Sequence, residues 1–255
     1  NLDQMILSSL MSMTKILKNE MNENSLDAIV IPAFEQIDKK NCNTYEECNK
    51  YITNMPSTFE DLKLCYEEKK CAVFKSHVNL EGHQSTNSEQ WLQRQWYDAP
   101  NESIKLSDSP NGDSNRNIRQ IKCISSTRYE PFVVMPWCPI SNGIENKYQV
   151  NKSLVHLPLS PYFDERFHGY GKNKIQEIVH LRAKGYRFFV LPEGFIIHRP
   201  HPTSDSKKIW KNTMKYDLHH EMDIQFKKYI SELSKKYGAQ KMKKQFSKCK
   251  DKNIT

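Results

Sequence analysis

The stretch "FDERFHGYGKNK" at residues 163–174 puts an acidic pair, an arginine, three aromatic rings, two glycines and an Asn–Lys pair into twelve positions. Asp164 and Glu165 can serve as a general base or as hydrogen-bond acceptors for hydroxyls. Arg166, Lys172 and Lys174 can meet a phosphate or a carboxylate. Tyr170, between two glycines, can present its ring where the backbone passes close to a ligand. The same residues also read as a loop before a helix, closed by an internal Asp–Arg ion pair.

A second group is "GFIIHRPHP" at 194–202, where an apolar strand ends on His198 and His201 follows three residues later. A buried strand that delivers a histidine at its tip is a common way to place a metal ligand. A pair of plain loop histidines is the alternative. "GHQSTNSEQW" at 82–91 offers His83, Thr86 and Trp91 after a helix, or simply a turn with a packed tryptophan. "NLD" at 1–3 resembles an Asp-x-Asp metal clip, with Asn1 in the first carboxylate position and Asp3 in the second. The chain has no glycine-rich phosphate loop, no Gly-x-Ser-x-Gly elbow and no Cys–His nucleophile context.

These groups need elements to hold them. Residues 4–20 carry apolar residues at helical intervals, and "LDAIVIPAFE" at 26–35 reads as a buried strand stopped by Pro32. "TFEDLKLCYEEKKCAVF" at 58–74 has a threonine before an acidic first turn and lysines toward its end, which is helix capping and dipole logic. Residues 97–120 and 139–153 read as loops, with a strand "YEPFVVMP" at 129–136 between them. "NKIQEIVHLRAKG" at 173–185 is a helix with one apolar face and a glycine to close it. "YRFFVLPEGFIIH" is a strand, a turn and a strand, and a long polar helix is expected over 206–237. Its apolar row is Trp210, Met214, Leu218, Met222 and Phe226. The order predicts one mixed α/β domain over 1–255, with a basic tail from about 238.

Composition bounds the answer. Of 255 residues, 37% are hydrophobic and 11% aromatic, enough for a packed core and against wholesale disorder. No stretch approaches the roughly 18 consecutive apolar residues of a membrane span. The net charge of +8 is concentrated in "KKYGAQKMKKQFSKCKDK" at 235–252. The excess does not interleave with aromatics, so nucleic acid is not expected as a partner. Seven cysteines lack zinc-knuckle spacing and suit disulfides such as Cys42–Cys48 across a short loop. Sequons at Asn101, Asn151 and Asn253 point the same way.

The ordered set "LDAIVIPAFE", "GHQSTNSEQW", "YEPFVVMP", "FDERFHGYGKNK" and "VLPEGFIIHRPHP" resembles glycosyltransferase family 49, over roughly residues 26–237. The resemblance implies a GT-A-like fold, a mixed sheet flanked by helices, with most of its nucleotide-binding half upstream of residue 1. It implies a UDP-sugar donor, a glycan or glycoprotein acceptor, Mn²⁺, and inverting transfer of glucuronic acid. It also implies a type II Golgi membrane protein whose lumenal domain this is, with the membrane anchor upstream. By position, His198 matches the histidine that completes the Mn²⁺ site, and His201 its neighbour. Asp3 falls at the metal clip. Asp164 and Glu165 match the acidic pair at the acceptor, one of them the base. Asn173 and Lys174 match a donor- or acceptor-contacting pair, with Arg166 and Tyr170 beside them. His83, Thr86 and Trp91 match a motif lining the sugar pocket.

The chemistry is consistent with that assignment. A leaving diphosphate must be neutralised, which a divalent ion does, and the attacking hydroxyl needs a base. Asn1 in the metal clip departs from the pattern. It leaves a second expectation open: a glycan-binding protein that keeps the fold without turnover.

Overall fold

The computed structural model describes residues 26–37, 42–51, 55–94, 103–105, 117–135, 161, 163–167, 171–212, 217–245 and 249. The helix expected at 4–20, Asp3, Tyr170, Met214, Cys138, the loop at 139–153 and the three sequons lie outside them.

Two short sheets share one path of chain. Strand β1 (Asp27–Ile31) and strand β2 (Ala33–Gln36) are consecutive, separated only by Pro32. Proline has no N–H to give a ladder, so the strand breaks there and resumes in a second sheet instead of stopping. β1 pairs in parallel with β7 (Arg187–Val190), and β2 in parallel with β8 (Ile196–His198). Leu191 N–H donates to the Val30 carbonyl and Ile196 N–H to the Pro32 carbonyl, so the two parallel pairs run on past the break. Each central strand gains one antiparallel neighbour: β6 (Phe132–Val134) beside β1, and β3 (Cys71–Val73) beside β2.

Helix α1 (Tyr45–Tyr51) is closed at its base by the Cys42–Cys48 disulfide. Helix α2 (Phe59–Glu67) starts on a capping box: Asp61 N–H donates to Thr58 Oγ1, and Thr58 N–H to the Asp61 carboxylate. The acidic-to-basic run at 58–74 is therefore not one helix. The chain turns after Glu68, with Lys69 at φ 57°, and the Cys65–Cys71 disulfide pins the helix to strand β3. Charge patterning marked the start of that helix and carried no signal for its end. Short helices α3 (Leu80–His83) and α4 (Ser88–Leu92) follow, joined by a 3-10 turn.

The polar segment at 97–120 is not all loop, since Ser103–Lys105 (β4) and Asn117–Arg119 (β5) pair as a hairpin. Ile118 on β5 is buried. Helix α5 (Asn173–Lys184) ends on Gly185 in the left-handed region at φ 104°, as its sequence predicts. Of the long helix expected over 206–237, the described residues are helical over Asp205–Asn212 (α6) and Asp217–Tyr237 (α7), and 213–216 lie outside the description. The basic stretch from 238 includes a further helix, α8 (Ala239–Gln245), whose Met242 is buried.

Two cores result. The larger packs Phe34, Leu62, Trp91, Tyr129, Phe188 and Phe195 around the sheets. The smaller joins Phe167 and the α5 face (Val179, Ala183) to Met222, Tyr229 and Leu233 of α7. Among the described residues, no helix is long and apolar enough to cross a membrane.

Candidate functional site

The site lies where the parallel pair β2·β8 ends, the carboxyl edge at which open α/β sheets usually place ligands. His198 is the last residue of β8 and stands opposite Glu35 in the register. His201 Nε2 lies 3.1 Å from His198 Nε2. The other ring nitrogen of His201, Nδ1, is 2.8 Å from the Pro202 carbonyl, which can only accept. Nδ1 therefore carries the proton and the Nε2 lone pair faces His198. A carbonyl that fixes the tautomer in this way is the usual support behind a metal-binding imidazole.

A cavity of about 470 Å³ opens beside the pair, walled by Phe34, Phe132, β8 and α1. Burial lowers the His198 pKa, helped by repulsion between its charged form and its neighbours His201, Lys75, Lys207 and Lys174. The two imidazoles suit a divalent transition ion. Among the described residues, no third His, Cys, Asp or Glu joins them in a group that could hold one. From the described residues they would supply two ligands.

Phe74 lies beside this pair, 5.0 Å from the His198 ring and 4.9 Å from that of His83. His83 also stacks on Phe132, which faces the cavity. It is 5% exposed, and its Nε2 is buried without a hydrogen-bond partner among the described residues. Such an orphan is costly unless a ligand or water meets it. Burial holds the ring neutral, lowering its pKa from 6.5 to about 3, with Lys75 and Lys174 adding repulsion. The unfolded chain then takes up this proton first. The stabilising contribution is complete above pH 6.5 and is lost as pH falls toward 3. His83→Phe is expected to flatten the fall of melting temperature between pH 6.5 and 4. His180, lowered to about 4 mainly by burial, leaves some slope. An unchanged acid slope in the variant would show that His83 protonates without cost.

Thr86 and Trp91 do not line this cavity. Thr86 Oγ1 shares a buried hydrogen bond with Tyr129 Oη at 2.8 Å. Trp91 donates Nε1–H to the carbonyls of Leu191 at 2.8 Å and Pro192 at 3.1 Å. Both hold the frame on which the site is built.

The acidic pair divides. Asp164 accepts from Arg166 Nε at 2.9 Å and Nη2 at 2.6 Å, and Arg166 in turn reaches Glu232 of α7 at 2.7 Å. These bonds to Arg166 hold the Asp164 carboxyl below its usual range. The internal Asp–Arg pair legible in the sequence is therefore real, and it extends to a third partner. The loop is also pinned from below, because Asp164 N–H donates to Gln176 Oε1, and buried Gln176 donates to Tyr229 Oη at 2.7 Å. Glu165 sits exposed in the turn.

Gly171 has φ +105°, and a Cβ there would come within 2.7 Å of the Trp210 ring. Lys172 pairs with Asp223 at 2.5 Å. Asn173 opens α5, its Oδ1 accepting from Lys174 N–H. Lys174 lies half-buried with Nζ 3.9 Å from the Phe132 ring centre.

Sequence reasoning missed several neighbours. Glu130 accepts from Asn79 at 2.8 Å and pairs with Lys75 at 3.4 Å. Lys75 N–H donates to Glu35 at 3.0 Å. Burial raises the Glu177 pKa from 4.5 to about 7, against the pull of Lys174. Glu35 was findable, since it follows the apolar run of β1 and β2, one residue before the end of β2.

The frame is a mixed α/β domain with a histidine pair at a strand end and a cavity beside it. The comparisons make the class specific. The family model described as glycosyl-transferase for dystroglycan matches residues 2–238, and the chain belongs to that family. Relatives include mouse "Xylosyl- and glucuronyltransferase LARGE2", 26% identical over 88% of this chain and 24% of the relative. The Caenorhabditis elegans "Glycosyltransferase-like protein LARGE" is 37% identical over 40% of this chain and 17% of its own length. The Dictyostelium discoideum "Glycosyltransferase-like protein gnt14" is 39% identical over 32% and 13%. The chain spans about a quarter of the length of the first of these relatives.

Proposed function

We propose that this chain forms the acceptor-side part of a GT-A-type, metal-dependent, inverting glycosyltransferase. It would act in the Golgi lumen and move a sugar, glucuronic acid, from its UDP conjugate to a glycan hydroxyl. The observation that carries the reading is the His198–His201 pair, oriented by the Pro202 carbonyl at the mouth of the cavity. Mn²⁺ bound there, with Asp3 as the one carboxylate of the Asp-x-Asp position, would act as a Lewis acid on the departing diphosphate. Lys174 and Lys207 add positive charge near His198, which suits a doubly charged anion. The three disulfides among the described residues support an oxidising compartment.

Within the acidic pair, the base role falls to Glu165. Asp164 is held by Arg166, and its depressed pKa makes it a weak base. Glu165 takes the proton of the acceptor hydroxyl as that oxygen attacks the anomeric carbon and the bond to UDP breaks. Asp164 positions the turn. The test compares Glu165→Gln and Asp164→Asn in the full-length protein. Glu165→Gln is expected to lower turnover about 100-fold, with donor affinity little changed. Asp164→Asn is expected to lower turnover together with melting temperature. Wild-type turnover in both would place the base elsewhere. Failure of UDP to bind in any metal condition would favour the glycan-binding reading.

A further inference from the structure

The cavity wall away from the histidines has a composition that the transfer chemistry does not use. Tyr45 and Asn49 lie four apart on α1, so they share a helix face, and both line the cavity. Tyr45 is 70% exposed, an unusual position for a large ring with no structural work. Arg199, between the two histidines in sequence, lines the same cavity, and its Nη2 donates to Asn49 Oδ1 at 3.3 Å. Asn49 is its one partner among the described residues, and no carboxylate there neutralises it. One hydrogen bond to a neutral amide steers the guanidinium and leaves its other N–H groups open. A guanidinium so placed suits bidentate capture of a planar anion. The Cys42–Cys48 disulfide fixes the base of the helix that carries the other two residues.

We infer that Tyr45, Asn49 and Arg199 form a subsite for an acidic sugar ring, the ring's C–H face on Tyr45 and its carboxylate on Arg199. This rests on reading the cavity as a sugar site, and it makes Arg199 the residue that selects for acid. A volume of about 470 Å³ is within the range of small-molecule sites and accommodates a sugar unit beside the histidine pair. The acid can belong to the donor sugar or to a unit of the acceptor chain.

The test is calorimetric titration of methyl β-D-glucuronide, methyl β-D-glucoside, and UDP with Mn²⁺ into the chain and its variants. The wild type is expected to prefer the glucuronide by about tenfold, which is 1.4 kcal/mol. Arg199→Gln should erase the preference and leave glucoside binding unchanged, and Tyr45→Ala should weaken both sugars. Melting curves check that each variant is folded. A preference that survives Arg199→Gln, or no preference in the wild type, overturns the subsite. If UDP binds and the preference is absent, the subsite fails and the transferase reading stands. If the preference follows Arg199 and UDP does not bind, the reverse holds. The ratio of UDP-glucuronic acid to UDP-glucose affinity then locates the acid. Its collapse in Arg199→Gln assigns the subsite to the donor, and its persistence assigns it to the acceptor.

Discussion

His198→Ala is expected to lower Mn²⁺-dependent turnover of the full-length protein by at least about 100-fold, since altering even the outer support of a metal ligand costs 10–100-fold. The fold should survive. His198 is half-buried at a strand end and touches one aromatic neighbour, Phe74, apart from His201. Melting temperature is therefore expected to change little, while the metal concentration needed for half-maximal activity rises sharply. His201→Ala should act in the same direction, because its Nε2 faces the same point. Ordinary metal dependence in a folded His198→Ala protein would remove the histidine pair from the metal site. It would leave the cavity as a binding pocket only.

Trp91→Ala is expected to cost about 4–5 kcal/mol in urea denaturation, the upper part of the range for deleting a buried tryptophan. The ring is 3% exposed and packs against Phe34, Phe59 and Phe195 at 5.5–6.2 Å between centroids. Its loss also removes the hydrogen bonds that Trp91 donates to the carbonyls of Leu191 and Pro192. These lie in the turn that feeds strand β8, so the damage passes directly to the position of His198. Trp91→Phe keeps most of the packing and loses the hydrogen bonds. It should fall between wild type and alanine. A loss under about 1 kcal/mol for Trp91→Ala would mean the core is not closed as described.

The sequence exposed what is periodic or locally capped. Thr58, Gly185 and the strand–turn–strand at 187–198 behave as their residues predict, because each depends on interactions within a few positions. Pro32 was readable as an interruption but not as a change of sheet, since the continuation depends on β8 arriving from 163 residues away in sequence. Strand β3 was hidden inside a helical charge pattern, and only its disulfide and its pairing with β2 reveal it. At the site, His198 and His201 were legible because they are neighbours. The position of Lys75 beside Glu130, and of Arg199 beside Asn49, is tertiary and leaves no local mark. Trp91 shows the converse: a motif residue with the chemistry of a sugar platform that serves the core instead.

One covalent feature bears on how this molecule can be handled. The Cys123–Cys249 bond joins positions 126 apart and closes a ring containing β6 to β8 and α5 to α8. In the chain-entropy view, a ring of that size contributes on the order of 4–5 kcal/mol. The ring also changes what a broken peptide bond means. A single protease cut between residues 124 and 248 opens the circle without releasing a fragment, so the nicked molecule keeps its mass until a reductant is added.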